Sequence, residues 1–155
     1  MPSRPMIAGS DFNTLPPHEH RRIAGCRFNL RRGIDMSVQN VQQAREFFAQ
    51  KLAYVTGPFE LDGQIKRKES ITVVDVRLPS DYKAGHIPGA INLPQGKWHT
   101  LAGLSKDRTA VIYCYSQTCK LAAAAAVEFA SAGIPVVEME GGFEAWAKNN
   151  LPVEK

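Results

Sequence analysis

The stretch A-V-I-Y-C-Y-S-Q-T-C-K, residues 110–120, decides the fold because it joins an apolar run to a helix through a short polar loop. The apolar residues 111–113 are typical of a buried parallel strand, and the alanine-rich residues 121–132 strongly favour helix. Cys114 is therefore expected where a strand ends and a loop leads into a helix. Functional sites of open α/β sheets lie at this carboxyl end of the strands.

The start of the predicted helix is expected to stabilise a negative charge on Cys114. The first backbone amides of a helix have no partner within it and point at the preceding loop, and the helix dipole adds partial positive charge. We therefore predict that the pKa of Cys114 lies below the value of about 8.5 for a free thiol. The alternative interpretation is a structural cysteine that ends a core strand.

The composition is typical of one soluble domain. The chain has 155 residues, of which 44% are hydrophobic and 22% charged, so it can build a full core and is neither disordered nor fibrous as a whole. Its longest small or apolar run, residues 121–127, is much shorter than the roughly 20 residues that cross a bilayer. We expect no membrane segment and no membrane partner.

The cysteine usage favours a reducing compartment. The chain has three cysteines, Cys26, Cys114 and Cys119, without the dense pattern of a secreted disulfide scaffold. No histidine lies at metal-ligand spacing from any pair of them. We therefore predict a cytoplasmic protein without a metal site.

Residues 1–35 are predicted to be a flexible leader, and residues 36–155 the folded domain. The leader contains four prolines and lacks the apolar periods of strand or helix. It holds six arginines against three acidic residues, which leaves 13 basic and 12 acidic residues in the domain. The net charge of +4 comes mainly from the leader, and we predict no nucleic-acid partner.

From residue 37 onward, the pattern alternates between helices and strands. The first helix carries Val41, Ala44, Phe48 and Leu52 on one face, which is expected to cover one flank of the sheet. Further helices and strands are predicted in turn, with helices at 59–66, 78–84, 121–132 and 143–149 and strands at 71–76, 90–93, 111–113 and 134–139. This alternation indicates an α/β fold with a mostly parallel, about five-stranded sheet and helices on both faces.

Three blocks of sequence resemble a rhodanese domain, a sulfurtransferase module, over about residues 57–155. The first is V-V-D-V-R at 73–77 followed by D-Y-K-A-G-H-I-P-G-A-I-N-L-P at 81–94, which is similar to a family strand and its G-H-I-x-G-A signature. The second, Y-C-Y-S-Q-T-C-K at 113–120, is in the position of the active-site loop. The third, E-G-G-F-E-A-W at 140–146, resembles the closing turn and helix.

The resemblance implies a role for several residues. Cys114 takes the place of the sulfur-accepting nucleophile, and Arg77 is expected to shape the field at the substrate. Asp75 pairs with Arg77 in the family's D-x-R pattern, and His86 gives structural support. The cradle for substrate and persulfide is the loop that follows the nucleophile, formed by Tyr115, Ser116, Gln117, Thr118, Cys119 and Lys120.

The reaction implied by the resemblance is sulfur transfer of the thiosulfate type. Cys114 attacks the outer sulfur of a small-molecule donor such as thiosulfate and displaces sulfite. A thiol, cyanide or protein acceptor then removes the sulfur from the resulting persulfide. This chemistry needs a nucleophile and donors aimed at negative charge, and it needs no cofactor or metal. Lys120 is expected to hold the sulfonate end of the donor.

The loop departs from the commonest family pattern, which leaves the substrate open. Gln117 replaces a glycine and Cys119 replaces an arginine. A phosphatase or arsenate reductase on the same fold has arginine where this chain has Lys120, and the planar guanidinium suits a dianionic oxyanion better. A non-catalytic redox or sulfide sensor would instead pair Cys114 with Cys119, which requires Cα atoms within about 7 Å.

Overall fold

The computed structural model describes residues 41–155, and within them five strands form one parallel sheet. The strand order is β1-β5-β4-β2-β3, which confirms the predicted α/β class. The apolar strand β4 lies at the centre because its buried side chains pack on both faces. The strands are β1 (Val55–Thr56), β2 (Ile71–Asp75), β3 (Ile91–Asn92), β4 (Thr109–Tyr113) and β5 (Val136–Met139).

Helices connect the strands close to the predicted positions. Two of them, α2 and α3, begin with a proline, whose fixed φ suits the first turn and whose missing amide donor is not needed there. The helices are α1 (Val41–Tyr54), α2 (Pro58–Lys66), α3 (Pro79–Ala84), α4 (Leu121–Ser131) and α5 (Gly142–Lys148), with a 3₁₀ turn at Trp98–Thr100.

Alternating side chains of the central strands build a core on each face of the sheet. Ile112 packs in the same cluster as Phe129 of α4. Val111 packs on the other face with Leu61 of α2 and Trp146 of α5. A parallel sheet with both faces covered needs such continuous apolar strands, which is why the sequence pattern identified them.

The register of β2 and β4 determines where their functional ends meet. Asp75, the last residue of β2, is aligned with Tyr113, the last residue of β4. Cys114 therefore follows β4 directly beside the residues that follow β2. The two ends of the strands form one shared edge of the sheet.

The edge strand β1 was not predicted. It is only two residues long and follows α1 without a break, so no alternating pattern marks it. Val55 and Thr56 are β-branched, but two residues are too few to show a period, and the strand forms through pairing with β5, with Val55 aligned with Glu138.

The prediction that α1 buries an apolar face against the sheet is wrong. Val41, Phe48 and Leu52 are 82%, 58% and 79% exposed, and only Ala44 is half-buried. The short edge strand β1 offers little sheet surface for the helix to cover. The predicted leader and the start of the predicted domain at residue 36 lie outside the described residues.

Substitutions of one leucine in α2 and one in α1 test which of these helices buries apolar surface. We expect Leu61→Ala to lower the free energy of unfolding by about 2–5 kcal/mol, because Leu61 is fully buried. The same change at exposed Leu52 is expected to cost no more than about 0.5 kcal/mol. Urea unfolding of both variants measures the difference, and equal losses would contradict the packing described for α1.

Candidate active site

Cys114 lies immediately after β4, and the six residues that follow form the loop before α4. Its side chain is only 2% exposed and packs in the core cluster that includes residues of α4. The loop turns sharply because the Cys119 amide donates to the Ser116 carbonyl oxygen at 3.1 Å. Gln117, Thr118 and Lys120 are exposed, whereas Cys119 is half-buried. The loop therefore covers the thiol and presents polar side chains outward.

The thiol of Cys114 is surrounded by backbone groups of its own loop. Its Sγ lies 3.4 Å from the Cys119 carbonyl oxygen and 3.8 Å from that of Ser116. Burial and the hydrogen bond with Cys119 raise the pKa of Cys114 to about 11, although hydrogen bonds from the Ala122 and Ser116 amides act to lower it. The amide donors expected at the helix start are present, but the prediction of a lowered pKa for Cys114 is wrong because burial outweighs them.

Cys119 shares a hydrogen bond with Cys114 and carries the more acidic thiol of the pair. Burial alone would raise the pKa of Cys119. The hydrogen bonds from the Cys114 thiol and from the Leu121 and Tyr115 backbone amides outweigh burial and lower that pKa. The contact between the two thiols therefore shifts their pKa values in opposite directions, up for Cys114 and down for Cys119.

The first turn of α5 holds the backbone of the loop. The Phe143 amide donates to the Cys114 carbonyl oxygen at 2.8 Å, and the Glu144 amide donates to that of Tyr115 at 2.9 Å. Gly142 has φ +60° and approaches so closely that a Cβ atom there would lie 2.6 Å from the Ser116 nitrogen. Only glycine fits this contact, so the E-G-G-F block positions the cysteine loop.

Tyr115 anchors the loop to α3. Its hydroxyl donates to the Asp81 carboxylate at 2.8 Å and accepts from the Leu78 amide at 3.1 Å. The side chain of this predicted cradle residue is thus engaged with α3. What it contributes to the thiol pair is its backbone amide, which faces Cys119.

Asp75 and Arg77 form a buried ion pair beside the loop. The guanidinium donates to the Asp75 carboxylate at 2.6 to 3.1 Å and to the Gly85 carbonyl oxygen at 2.7 Å. It also lies over the Phe143 ring, 4.0 Å from its centroid, on the α5 face of the sheet, whereas the Cys114 side chain packs on the α4 face. Arg77 is therefore placed to brace the loop through the aromatic rings that it contacts.

Tyr113 completes this buried cluster. Its hydroxyl donates to Asp75 at 2.7 Å and accepts from the Ile87 amide at 3.2 Å. Burial and the nearby Asp75 carboxylate raise the pKa of Tyr113, so the hydroxyl remains a hydrogen donor. Burial acts to lower the pKa of Arg77, but the hydrogen bond with Asp75 and the charge of Asp75 outweigh burial and raise this pKa. The guanidinium therefore stays charged.

His86 makes its contacts with Tyr82 and Glu154. Its ring stacks on Tyr82 with centroids 3.8 Å apart, and its Nδ1 lies 3.0 Å from the Tyr82 carbonyl oxygen. Its backbone pairs with Glu154 through two hydrogen bonds of 2.9 Å. These contacts connect the G-H-I turn to α3 and to Glu154.

Sequence reasoning missed three residues that organise the site. Asn92 donates to the carbonyl oxygens of both Asp75 and Arg77 at 3.1 Å, which fixes the end of β2. Gly142 and Tyr113 act as described above. The E-G-G-F block carried a signal for Gly142, but an isolated asparagine or a core tyrosine has no pattern that reveals such partners.

Residues 41–155 carry neither a group of metal ligands nor a helix that could span a membrane. In that part of the chain, no three His, Cys, Asp or Glu side chains are grouped as metal ligands. None of its helices has the length and apolar character required to cross a bilayer.

Fold and site together define a parallel α/β domain with a buried cysteine at a strand–loop–helix junction. The family model described as "Rhodanese-like domain" matches residues 58–149, and the chain belongs to this family. This family assignment agrees with the three blocks of sequence that resemble a rhodanese.

Known relatives extend this assignment. A sulfurtransferase from Allochromatium vinosum is 33% identical over 97 residues, which are 60% of this chain and 87% of that protein. An HTH-type transcriptional regulator from Mycobacterium tuberculosis is 39% identical over 94 residues, 59% of this chain. The match spans only 42% of the regulator's length. The crystal structure of the BH2092 protein from Bacillus halodurans has a TM-score of 0.69 and 41% identity, covering 74% of this chain and 86% of that one.

The close contact at Gly142 yields a test of loop positioning. Gly142→Ala is expected to lower the free energy of unfolding by about 3 kcal/mol or more, because the methyl group collides with the loop backbone. Gly96→Ala is the matched control, since Gly96 has φ +90° but no atom within 4 Å of an added Cβ, and it should cost about 1–2 kcal/mol. Chemical unfolding measures both variants, and an equal loss of unfolding free energy in the two would contradict the expected collision at Gly142.

The thiol pair yields a test by pH. Since the thiolate is the reactive form, alkylation of Cys114 by iodoacetamide should accelerate from neutral pH towards its pKa of about 11. Cys119→Ala removes a hydrogen bond that raises this pKa, so the profile should shift to lower pH. Peptide mass mapping measures the rate, and Thr118→Ala serves as a loop control. An unshifted profile in Cys119→Ala would contradict the coupling.

Proposed function

We propose that this protein transfers sulfane sulfur from a small-molecule donor such as thiosulfate through a persulfide on Cys114. The observation that carries the proposal is the position of this thiol at the junction of the loop and α4, where the backbone amides of Ser116 in the loop and Ala122 in α4 act to lower its pKa. Membership of the rhodanese-like family and the relative from A. vinosum that bears the name sulfurtransferase support the class of reaction.

The first half of the proposed reaction is a displacement at sulfur. The Cys114 thiolate attacks the outer sulfur of thiosulfate, the new S–S bond forms, and the bond to the sulfonate sulfur breaks. Sulfite leaves with the electron pair of the broken bond. In the second half, a thiol, cyanide or protein acceptor attacks the outer sulfur of the persulfide and regenerates the Cys114 thiolate.

Backbone amides give the persulfide its stabilisation in this proposal. A persulfide is a stronger acid than its parent thiol, so the group is anionic once sulfur has been added. The amides of Ser116 and Ala122 act to lower the pKa of the Cys114 thiol, and in this proposal they also stabilise the charge of the persulfide. The chemistry also uses no redox cofactor or metal, because the sulfane sulfur moves between nucleophiles.

Lys120 is proposed to attract the donor. It is exposed at the end of the loop, directly before the first residue of α4. Its ammonium group can meet the sulfonate of thiosulfate as a point charge. Arg77 has its donors bound to Asp75 and Gly85, so the positive charge available at the loop surface is that of Lys120.

The same contacts weigh against oxyanion chemistry of the phosphatase type. A planar guanidinium in the loop would bind a dianionic phosphate or arsenate through paired hydrogen bonds. This loop carries Lys120 at that position, and Arg77 contacts the α5 face. Two free thiols that remain reduced in the proposed role also fit a reducing compartment such as the cytoplasm.

Mass spectrometry on the full chain tests the proposal. Incubation with thiosulfate should add one sulfur atom to Cys114, with release of sulfite, and cyanide should remove that atom as thiocyanate. Cys114→Ser should abolish the mass gain while leaving the protein folded, and Cys26→Ser is the control cysteine variant. Retained turnover in Cys114→Ser, or hydrolysis of an aryl phosphate in place of sulfur transfer, would refute the assignment.

A further inference from the structure

The reaction proposed above uses one cysteine, but the structure brings two into contact. The Cys114 Sγ lies 3.4 Å from the Cys119 carbonyl oxygen, and the Cys119 side chain packs against the core cluster that contains Cys114. Neither is bonded to another sulfur. A second thiol this close to a sulfur-carrying residue can react with whatever that residue carries.

The fold of the loop explains the contact. The turn closed by the Cys119 amide and the Ser116 carbonyl oxygen reverses the chain five residues after Cys114. The Cys119 side chain then packs against the same core cluster as Cys114, yet it remains half-buried rather than fully enclosed. Cys119 is therefore held beside the nucleophile on the open side of the loop.

We propose that Cys119 resolves the persulfide of Cys114 when no acceptor is bound, which releases hydrosulfide and leaves a disulfide between Cys114 and Cys119. This step rests on the proposed function, because it starts from the persulfide. It gives the protein a second activity, the reduction of sulfane sulfur to sulfide by its own thiol pair.

The step balances without an external oxidant. The Cys119 sulfur attacks the Sγ of Cys114, a new S–S bond forms, and the bond from Sγ to the outer sulfur breaks. The outer sulfur leaves with the electron pair and takes the Cys119 proton, so it departs as hydrosulfide. The two cysteine thiols lose two electrons in total, and the sulfane sulfur gains them. A dithiol reductant then restores the starting state.

The contact geometry favours attack at the inner sulfur. The atom of Cys114 that lies against Cys119 in the free protein is Sγ, 3.4 Å from the Cys119 carbonyl oxygen, and this atom becomes the inner sulfur once the persulfide has formed. Exchange at a sulfur depends on access and on the thiolate character of the attacking group. Cys119 has both, because it is half-buried and its thiol receives hydrogen bonds from the Leu121 and Tyr115 amides.

A single-turnover experiment on the full chain tests this activity. The protein is reduced, freed of reductant and mixed with thiosulfate in the absence of an acceptor, and sulfite, sulfide and the mass of the cysteine peptide are measured. The wild type should release sulfite and sulfide in equal amounts and lose two hydrogen atoms from the peptide. In Cys119→Ser the persulfide should persist, with sulfide release reduced by about tenfold or more.

Controls separate the failure of this step from the failure of sulfur transfer. Equal sulfide release in wild type and Cys119→Ser, or a stable persulfide in the wild type, would overturn the resolving role while leaving sulfur transfer intact. An absence of sulfite from both proteins would instead contradict the proposed function. In that case, inorganic polysulfide is used to load Cys114 directly with sulfur. A persulfide that persists in the wild type after this loading would still refute the resolving role of Cys119. Cys119→Ala provides a second variant should Cys119→Ser fold poorly.

Discussion

The contact between the first turn of α5 and the cysteine loop is the constraint on which the site depends. Two amides of α5 donate hydrogen bonds to the carbonyl oxygens of Cys114 and Tyr115. Gly142 allows the backbone of α5 to lie against the backbone of the loop, because the Cβ atom of any other residue would collide there. These bonds occupy carbonyl oxygens and leave the amides of Ser116 and Tyr115 to act on the thiols of Cys114 and Cys119. Backbone amides directed at a sulfur favour a negative charge on it.

A buried charge supports this arrangement from the neighbouring strand. The Asp75 carboxylate is completely buried and accepts hydrogen bonds from Arg77 and from Tyr113. Burying such a pair is costly, and removing one partner alone leaves an uncompensated charge, typically at a cost of about 3–5 kcal/mol. Arg77 contacts the ring of Phe143, so the ion pair connects the end of β2 to the helix that pins the loop. The thiol of Cys114 and the ion pair that braces its loop therefore lie on opposite faces of the sheet.

The elements that the sequence predicted well are those whose signal is repeated along the chain. Strand β4 and helix α4 carry long apolar and alanine-rich runs, and α2 and α3 each begin at a proline. Strand β1 has two residues and no period, so its existence depends on pairing with β5. The apolar period of α1 was real, but a period predicts only which side chains share a face and not whether another element covers them.

In the candidate site, too, some features could be predicted from the sequence and others could not. The position of Cys114 follows from the strand–loop–helix pattern, and so does the presence of amides around it. Its raised pKa does not follow, because it depends on how deeply the loop buries the sulfur and on the thiol of Cys119 beside it. The pKa of a thiol depends on the balance between burial and hydrogen bonding, and this balance changes when atoms move by a few ångströms. The spacing of residues in a sequence does not give distances at that scale.

Helix α1 has a consequence for the way in which the domain opens. It precedes the residues that match the family and buries no residue completely, and an ion pair joins its Lys51 to Glu140, the residue after β5. Segments with little buried apolar surface detach by local unfolding at a lower free energy than the core. Amide protons of α1 are therefore expected to exchange with solvent through local openings that leave the cysteine loop and the central strands folded.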